Sequence, residues 1–217
     1  MILLPVKNLS TAKQRLASVL DQASRTALAQ AMLHDVLETL GNWALRPGVS
    51  IVTSDAFAVS LAREFSFDVI LDHANHSETH AIEMATRVCQ ERGIDSTLVI
   101  PADIPLLRSE ELEQILKAAP VEGCVLAPAA DGRGTNAAFR RPAGLFPLRF
   151  GNDSFKPHLA AARATGKPCS VLSLPGIALD VDGPSDLRQL ALAKGETRSQ
   201  RLARQWDVSD LPPAVNE

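Results

Sequence analysis

The sequence predicts an α/β protein: a doubly wound, mostly parallel central sheet with helices on both faces, in a single domain. Three observations carry that expectation. Short apolar runs without polar alternation, at residues 2–6, 98–102 and 124–127, suit strands covered on both faces. Between them, apolar residues recur at helical spacing, giving the strand–helix alternation of a parallel sheet. Charged residues follow the runs at once, as at Lys7 and Asp103, where open α/β sheets place ligands.

A chain of 217 residues fits one such domain and can bury a substantial core. The formal net charge of -3 argues against a nucleic-acid partner held by global charge, and any cationic site must be concentrated. Cys89, Cys124 and Cys169 are odd in number, lie in apolar segments and lack zinc spacing, so they read as buried free thiols of a reducing compartment. The apolar start has no basic region before it and is too short for a signal peptide. Nor does any run approach the roughly 20 apolar residues of a membrane span. The expectation is a soluble cytoplasmic protein without a membrane partner.

Taken in order, Ile2–Val6 is a first buried strand feeding a loop that gathers Lys7, Lys13 and Arg15 within residues 7–15. These cations either neutralise a polyphosphate or form a solvated basic turn. No glycine-rich Walker pattern is present. Ser24 can cap a helix to about residue 40, with Leu33, Val36, Leu37 and Leu40 as its buried stripe and Gly41 as its stop. Residues 49–53 form a strand, 56–65 a helix and 68–71 a strand. His73, His76 and His80 punctuate the polar loop that follows, without the matched second cluster a transition metal needs. A helix then runs to about residue 92.

The pivotal strand ends at Asp103, between Pro101 and Pro105, and a helix follows with Ser109 as its expected cap. Residues 124–127 make another strand, opening into a loop where Gly132 and Gly134 flank Arg133 before Thr135 and Asn136. That loop is either an anion seat or a plain hairpin connection. Gly151, Asn152 and Ser154 precede a helix over 155–165, at its positive end, where a phosphate could sit or Asp153 or Ser154 could simply cap. Residues 170–174 are read as a strand and 177–182 as another, which places Asp180 and Asp182 on one face by the period of two. Paired carboxylates point to a cation between them; the alternative is that Asp182 caps the helix starting at Pro184. The domain spans 1–194. Residues 195–217 form a charged tail that either docks around Trp206 or packs on a second copy in a homodimer.

A basic loop, three separated aspartates and two glycine-containing anion seats, all beyond strand ends, equip a chain to join two phosphorylated small molecules. Mg²⁺ prefers oxygen ligands and keeps positions open for phosphates, which suits Asp103, Asp180 and Asp182. The patterns Pro5-Val6-Lys7, Ala12-Lys13 with Arg15-Leu16, residues 101–107, Gly134-Thr135-Asn136, Phe150-Gly151 with Ser154-Phe155, and residues 179–182 resemble the 2-phospho-L-lactate guanylyltransferase family. The resemblance covers residues 2 to about 190.

It implies a nucleotidyltransferase domain of the molybdenum-cofactor guanylyltransferase type. It also implies transfer of GMP from GTP to a three-carbon phosphate (2-phospho-L-lactate, phosphoenolpyruvate or 3-phospho-D-glycerate), an early step toward the deazaflavin coenzyme F-420. Asp103, Asp180 and Asp182 would hold Mg²⁺; Thr135, Gly151 and Ser154 would bind the acceptor; Lys7, Lys13 and Arg15 would meet the GTP phosphates, with Lys13 also catalytic. The chain departs from the family at Glu78-Thr79-His80, where the family carries Gly-Leu-Asn at a helix start expected near the nucleoside. Two rivals stand beside this reading: a nucleotidyltransferase for a sugar phosphate or molybdenum cofactor, which normally has a glycine-rich first loop, and a nucleotide-binding module without turnover.

Overall fold

Strand β1 (Ile2–Val6) is buried along its whole length and pairs in parallel with β2 (Val49–Thr53) and β4 (Thr97–Val99). The computed structural model describes residues 1–74, 76–151, 153–206 and 208. Adding β3 (Asp68–Leu71), β5 (Gly123–Pro128), β6 (Thr135–Arg141) and β7 (Cys169–Val171) gives the order β3-β2-β1-β4-β6-β5-β7. Strand β6 runs antiparallel to both neighbours because residues 129–134 are too few for a parallel crossover, which needs a dozen or more. The expected mostly parallel, doubly wound sheet is what the chain forms.

The connections leaving β1 and β4 turn away from each other, so a crevice opens beyond their adjacent carboxyl ends. The period of two decides which core each β1 residue joins. Ile2, Leu4 and Val6 pack with Leu33, Val36, Leu37 and Leu40 of α1 (Gln22–Asn42), under α2 (Ala56–Glu64) and α4 (Ser109–Ala118). Leu3 faces the other way, onto α3 (Glu78–Glu91) and α5 (Phe155–Ala164). Each such leucine, fully buried, contributes about 1.5–3 kcal/mol of hydrophobic stabilisation. Among the described residues no helix is long and apolar enough to cross a membrane.

Several local expectations are corrected. Asp21, not Ser24, caps α1 by accepting the Ser24 N–H at 2.7 Å, and the helix runs through Gly41 to Asn42. Gly41 serves packing instead, since a Cβ there would lie 2.8 Å from the Phe65 ring. Ser109 is the first helical residue of α4, and its neighbour Arg108 occupies the cap position without a side-chain bond. The pivotal strand stops at Val99; Ile100 adds one more bond to Leu3, and Pro101 has no N–H to continue the ladder. Strand β7 ends at Val171, short of the expected residue 174.

The largest correction concerns residues 177–182, which are not a strand. Pro175 opens a short helix, α6 (Pro175–Ala178), and the chain then crosses the carboxyl end of the sheet extended but outside any ladder. Backbone bonds hold it there from both sides: the Ala178 carbonyl accepts the Ala130 N–H at 2.9 Å, and the Val181 N–H donates to the Asp103 carbonyl at 3.1 Å. Of the three thiols, Cys89 and Cys124 are buried while Cys169 is half-buried.

After α7 (Pro184–Leu192), the charged segment folds as α8 (Arg198–Gln205). Buried Asp35 of α1 accepts from Arg198 N at 2.8 Å, Ser199 N at 2.9 Å and Ser199 Oγ at 2.6 Å. Thr197 takes the next helix N–H, from Gln200, so the first free donors of α8 all have acceptors. Leu16, Leu28, Met32, Val181, Leu187 and Ala203 then close a third core cluster. Residues 195–206 are thus packed into the same body as the domain before them. Replacing Asp35 by Ala leaves buried donors unpaired and should cost about 2–3 kcal/mol. Urea unfolding measures that loss, and faster amide exchange confined to α8 would locate it.

Candidate active site

Lys13 adopts a left-handed backbone, φ 57° and ψ 42°, at the start of the 3₁₀ turn Gln14–Leu16. For a residue with a side chain that conformation costs roughly 1–2 kcal/mol. It aims the side chain inward: the ammonium lies 2.5 Å from Asp103 Oδ2 and 2.9 Å from Asp182 Oδ1, with only 8% of the side chain exposed. From the rim, Arg15 stands 3.5 Å from the other oxygen of Asp182. Burial disfavours the Lys13 charge, yet the two carboxylates outweigh it and hold its pKa above the ordinary lysine value. Burial likewise raises Asp182, but Lys13 and then Arg15 more than offset it, leaving that carboxyl below the ordinary range.

Asp180 sits on the same side of the extended segment. Asn136 of β6 donates to Asp180 Oδ1 at 2.9 Å and to the Ile177 carbonyl at 2.9 Å, tying the segment to the sheet. Behind it, Glu111 of α4 accepts the Gly176 N–H at 2.7 Å, and any Cβ on Gly176 would collide with Glu111 and with the Leu106 carbonyl. Capping of α7 falls to Asp186, which accepts from Gly183 N at 2.7 Å and Asp182 N at 3.1 Å, so the Asp182 carboxylate stays free for Lys13. Burial, Asp103 and Asp182 push Asp180 up to about 6 against the Asn136 hydrogen bond.

Two open cavities, of about 460 and 470 Å³, meet at Arg15, Glu78, Asp103 and Asp182. The first is walled by the β1 loop, with Lys7, Asn8 and Lys13. The second holds Arg133, Thr135, Gly151, Ser154 and Asp180. Thus Lys7 and Lys13 of the predicted nucleotide set line one half, Thr135, Gly151 and Ser154 of the predicted acceptor set line the other, and Arg15 stands at the junction. Lys7 lines the first half while its ammonium pairs with buried Asp72 at 2.9 Å. Asn152 lies outside the described residues. Among the described residues no side chain caps α5; the Arg133 carbonyl takes the Phe155 N–H at 2.8 Å and Pro157 carries none, which leaves the Lys156 N–H as the first-turn donor beside Ser154. Glu78, at the helix start where the chain departs from the family pattern, borders both halves, and burial and then Asp103 raise its carboxyl to about 7.

The chain matches the family described as guanylyl transferase CofC like over residues 1–212. It belongs to that family. A phosphoenolpyruvate guanylyltransferase of Roseiflexus castenholzii is 36% identical, covering 94% of this chain and 93% of that protein. A 3-phospho-D-glycerate guanylyltransferase of Colwellia psychrerythraea is 33% identical, with 89% and 90% covered. A 2-phospho-L-lactate guanylyltransferase of Methanothermobacter thermautotrophicus is 30% identical, with 97% and 92% covered. Among solved structures, a provisionally assigned nucleotide-diphospho-sugar transferase of Desulfovibrio desulfuricans G20 superposes with a TM-score of 0.76 at 19% identity, covering 94% of this chain and 93% of the other. That likeness speaks for the fold alone.

The CofC-like cleft fits a hard divalent cation by the chemistry of its donors. The Asp103, Asp180 and Asp182 donors are all oxygens; Asp103 Oδ1 is buried without a hydrogen-bond partner; and burial, then repulsion from Asp103 and Asp182, raises the Asp180 carboxyl, a strain on its charged form that a cation would relieve. Among the described residues no three His, Cys, Asp or Glu side chains converge as a ready-made metal cluster, so a bound cation would have to complete its shell from phosphate or water.

Three participants escaped the sequence reading. Asp72, Arg133 and His158 lie in segments that read as loop or amphipathic helix. His158 had a signal, because four residues after Ser154 is the spacing that stacks two side chains on one helix face.

The Asp180 pKa gives a signed stability prediction. Its folded carboxyl binds a proton more tightly than the unfolded one, so its contribution is present at low pH and is lost as pH rises from about 4 to about 6. Asp180→Asn should match the natural chain below pH 4 and exceed it above pH 6, by on the order of 2 kcal/mol. Urea denaturation across that range measures the difference.

Proposed function

We propose that this chain transfers GMP from GTP to a three-carbon phosphorylated acid and releases pyrophosphate. The carrying observation is the Lys13 ammonium, fixed between Asp103 and Asp182 where the two cavities meet. In this reading GTP occupies the half walled by the β1 loop, where Lys7, Lys13 and Arg15 balance its phosphate charge. The acceptor lies in the other half against Thr135, Gly151 and Ser154, with Arg133 on the same wall.

An acceptor phosphate oxygen attacks the α-phosphorus of GTP, the bond from that phosphorus to the bridging β-phosphate oxygen breaks, and pyrophosphate departs with the electron pair. A phosphate monoester has a second pKa near about 6, so it is already mostly dianionic and no protein base has to remove a proton. Catalysis is positioning and charge stabilisation. Lys13 holds Asp103 and Asp182 in place and presents a permanent positive charge toward the reacting phosphates. Mg²⁺, when held by Asp103, Asp180 and Asp182, would polarise the phosphorus and neutralise the leaving group.

Phosphoenolpyruvate is the first acceptor to test, since the 36% identical relative bears that activity in its name. The reaction would serve deazaflavin coenzyme F-420 formation, in a reducing cytoplasm consistent with the free cysteines. The net charge of -3 agrees with small-molecule rather than nucleic-acid substrates.

The test is pyrophosphate release by the purified protein with each of four nucleoside triphosphates and each of the three acceptors. Release with GTP and one acceptor is expected, and release only with sugar phosphates would overturn the proposal. Asp103→Asn and Asp182→Asn should each lower kcat at least about 100-fold with melting temperatures little changed. Near-natural rates in both variants would remove the aspartates from the mechanism. Chelation of divalent cations should abolish turnover, and added Mg²⁺ should restore it.

A further inference from the structure

We infer that His158 sets the proton direction of the Thr135–Ser154 hydroxyl pair, so that this end of the cleft presents a hydrogen-bond donor to an anionic oxygen of the acceptor. The inference rests on the reading that the acceptor occupies this half.

His158 of α5 is 1% exposed and reaches no cavity wall itself. Its Nε2 lies 2.7 Å from the Arg149 backbone nitrogen. A backbone amide can only donate, so Nε2 must be the bare, accepting nitrogen. A neutral imidazole then carries its proton on Nδ1, which lies 2.9 Å from Thr135 Oγ1 and donates to it. The Phe150 ring meets the imidazole edge to face, with centroids 5.2 Å apart, and holds its plane. Burial, with the Arg140 charge adding to it, pushes the imidazole down to about 4, so the ring is neutral near pH 7.

Proton counting gives the consequence. Ser154 Oγ lies 3.3 Å from Thr135 Oγ1, and the two hydroxyls own two protons between them. Their mutual bond uses one. His158 adds a donor to the pair and takes none, so one hydroxyl proton is left for the cleft that both residues line. The opposite tautomer would draw the Thr135 proton to Nδ1, and the pair would then offer only lone pairs. A site with a spare donor suits a carboxylate or phosphate oxygen and would repel the same oxygens if it offered lone pairs. His158 is therefore a positioning residue that acts through Thr135.

Two substitutions separate this role from packing. His158→Asn keeps an amide donor near the Nδ1 position, whereas His158→Gln places its amide near Nε2 and leaves Thr135 without the donor. With both variants folded by thermal melting, His158→Gln should raise KM for the acceptor about tenfold while KM for GTP stays within about twofold. His158→Asn should restore the acceptor KM to within about threefold of the natural value. Equal losses in both variants, or no loss in His158→Gln, would overturn the inference. Nitrogen–proton correlation of the histidine rings in the natural chain reads the tautomer without any turnover. A protonated Nδ1 with a bare Nε2 is expected; a protonated Nε2 overturns the inference. If the natural chain turns over none of the three acceptors, the reaction proposed above fails, and the ring spectrum still decides the wiring of His158.

Discussion

One ammonium group joins three parts of the chain that the sheet alone would leave apart. Lys13 belongs to the loop after β1, Asp103 to the end of the β4 run, and Asp182 to the segment before α7. Two carboxylates turned toward one buried point would repel each other strongly, and one buried lysine would lose its proton. Together they are charge-compensated and mutually oriented, at the expense of a left-handed backbone at Lys13. An ion pair of this kind adds little net stability compared with an apolar replacement; loss of one aspartate still leaves Lys13 paired with the other, whereas loss of Lys13 would leave two carboxylates facing each other. Its value lies in fixing where charge stands.

The sheet supplies the frame for that arrangement. Parallel pairing of β1 with β2 and β4 brings two strand ends side by side, and the loops leaving them separate to make the first cavity. Reversal of β6 brings the 129–134 hairpin and Thr135 to the same edge, adding the second cavity. A wholly parallel sheet would put the start of β6 at the opposite end. The antiparallel strand is thus what gives one edge two adjoining cavities. Asn136 uses the next position of that strand to anchor Asp180, so sheet register and site geometry are linked by one side chain.

Much of the fold is legible in the residues because burial on both faces erases alternation, and Ile2–Val6 and the Leu33 to Leu40 stripe carry that signal plainly. The extended segment bearing Asp180 and Asp182 reads as a strand because paired and unpaired extended chains share the period of two, and only the absence of a neighbouring edge distinguishes them. Cap assignments fail where neighbouring polar residues compete, as with Asp21 over Ser24 and Arg108 over Ser109, and of the two readings of Asp182 the capping one yields to Asp186. The residue types of the candidate site are visible as charges and hydroxyls past strand ends. Their wiring is not, because Lys13 meets Asp103 across 90 positions and a left-handed lysine has no sequence mark. His158 reads as an ordinary helix residue until the Arg149 amide and Thr135 hydroxyl are seen on either side of it.

The third core cluster gives the C-terminal helix a part in a cleft it never touches. Leu16 follows the Lys13 turn, Val181 lies between Asp180 and Asp182, and both share one apolar interior with Ala203 of α8. A shortened protein ending near residue 194, drawn to keep every side chain that lines the cleft, would lose one wall of the room beneath it. The aspartates and the lysine would then rest on a surface open to water, and the distances between them would no longer be defended from below. In this architecture α8 acts as a foundation, and the support of the cleft reaches further than the residues that line it.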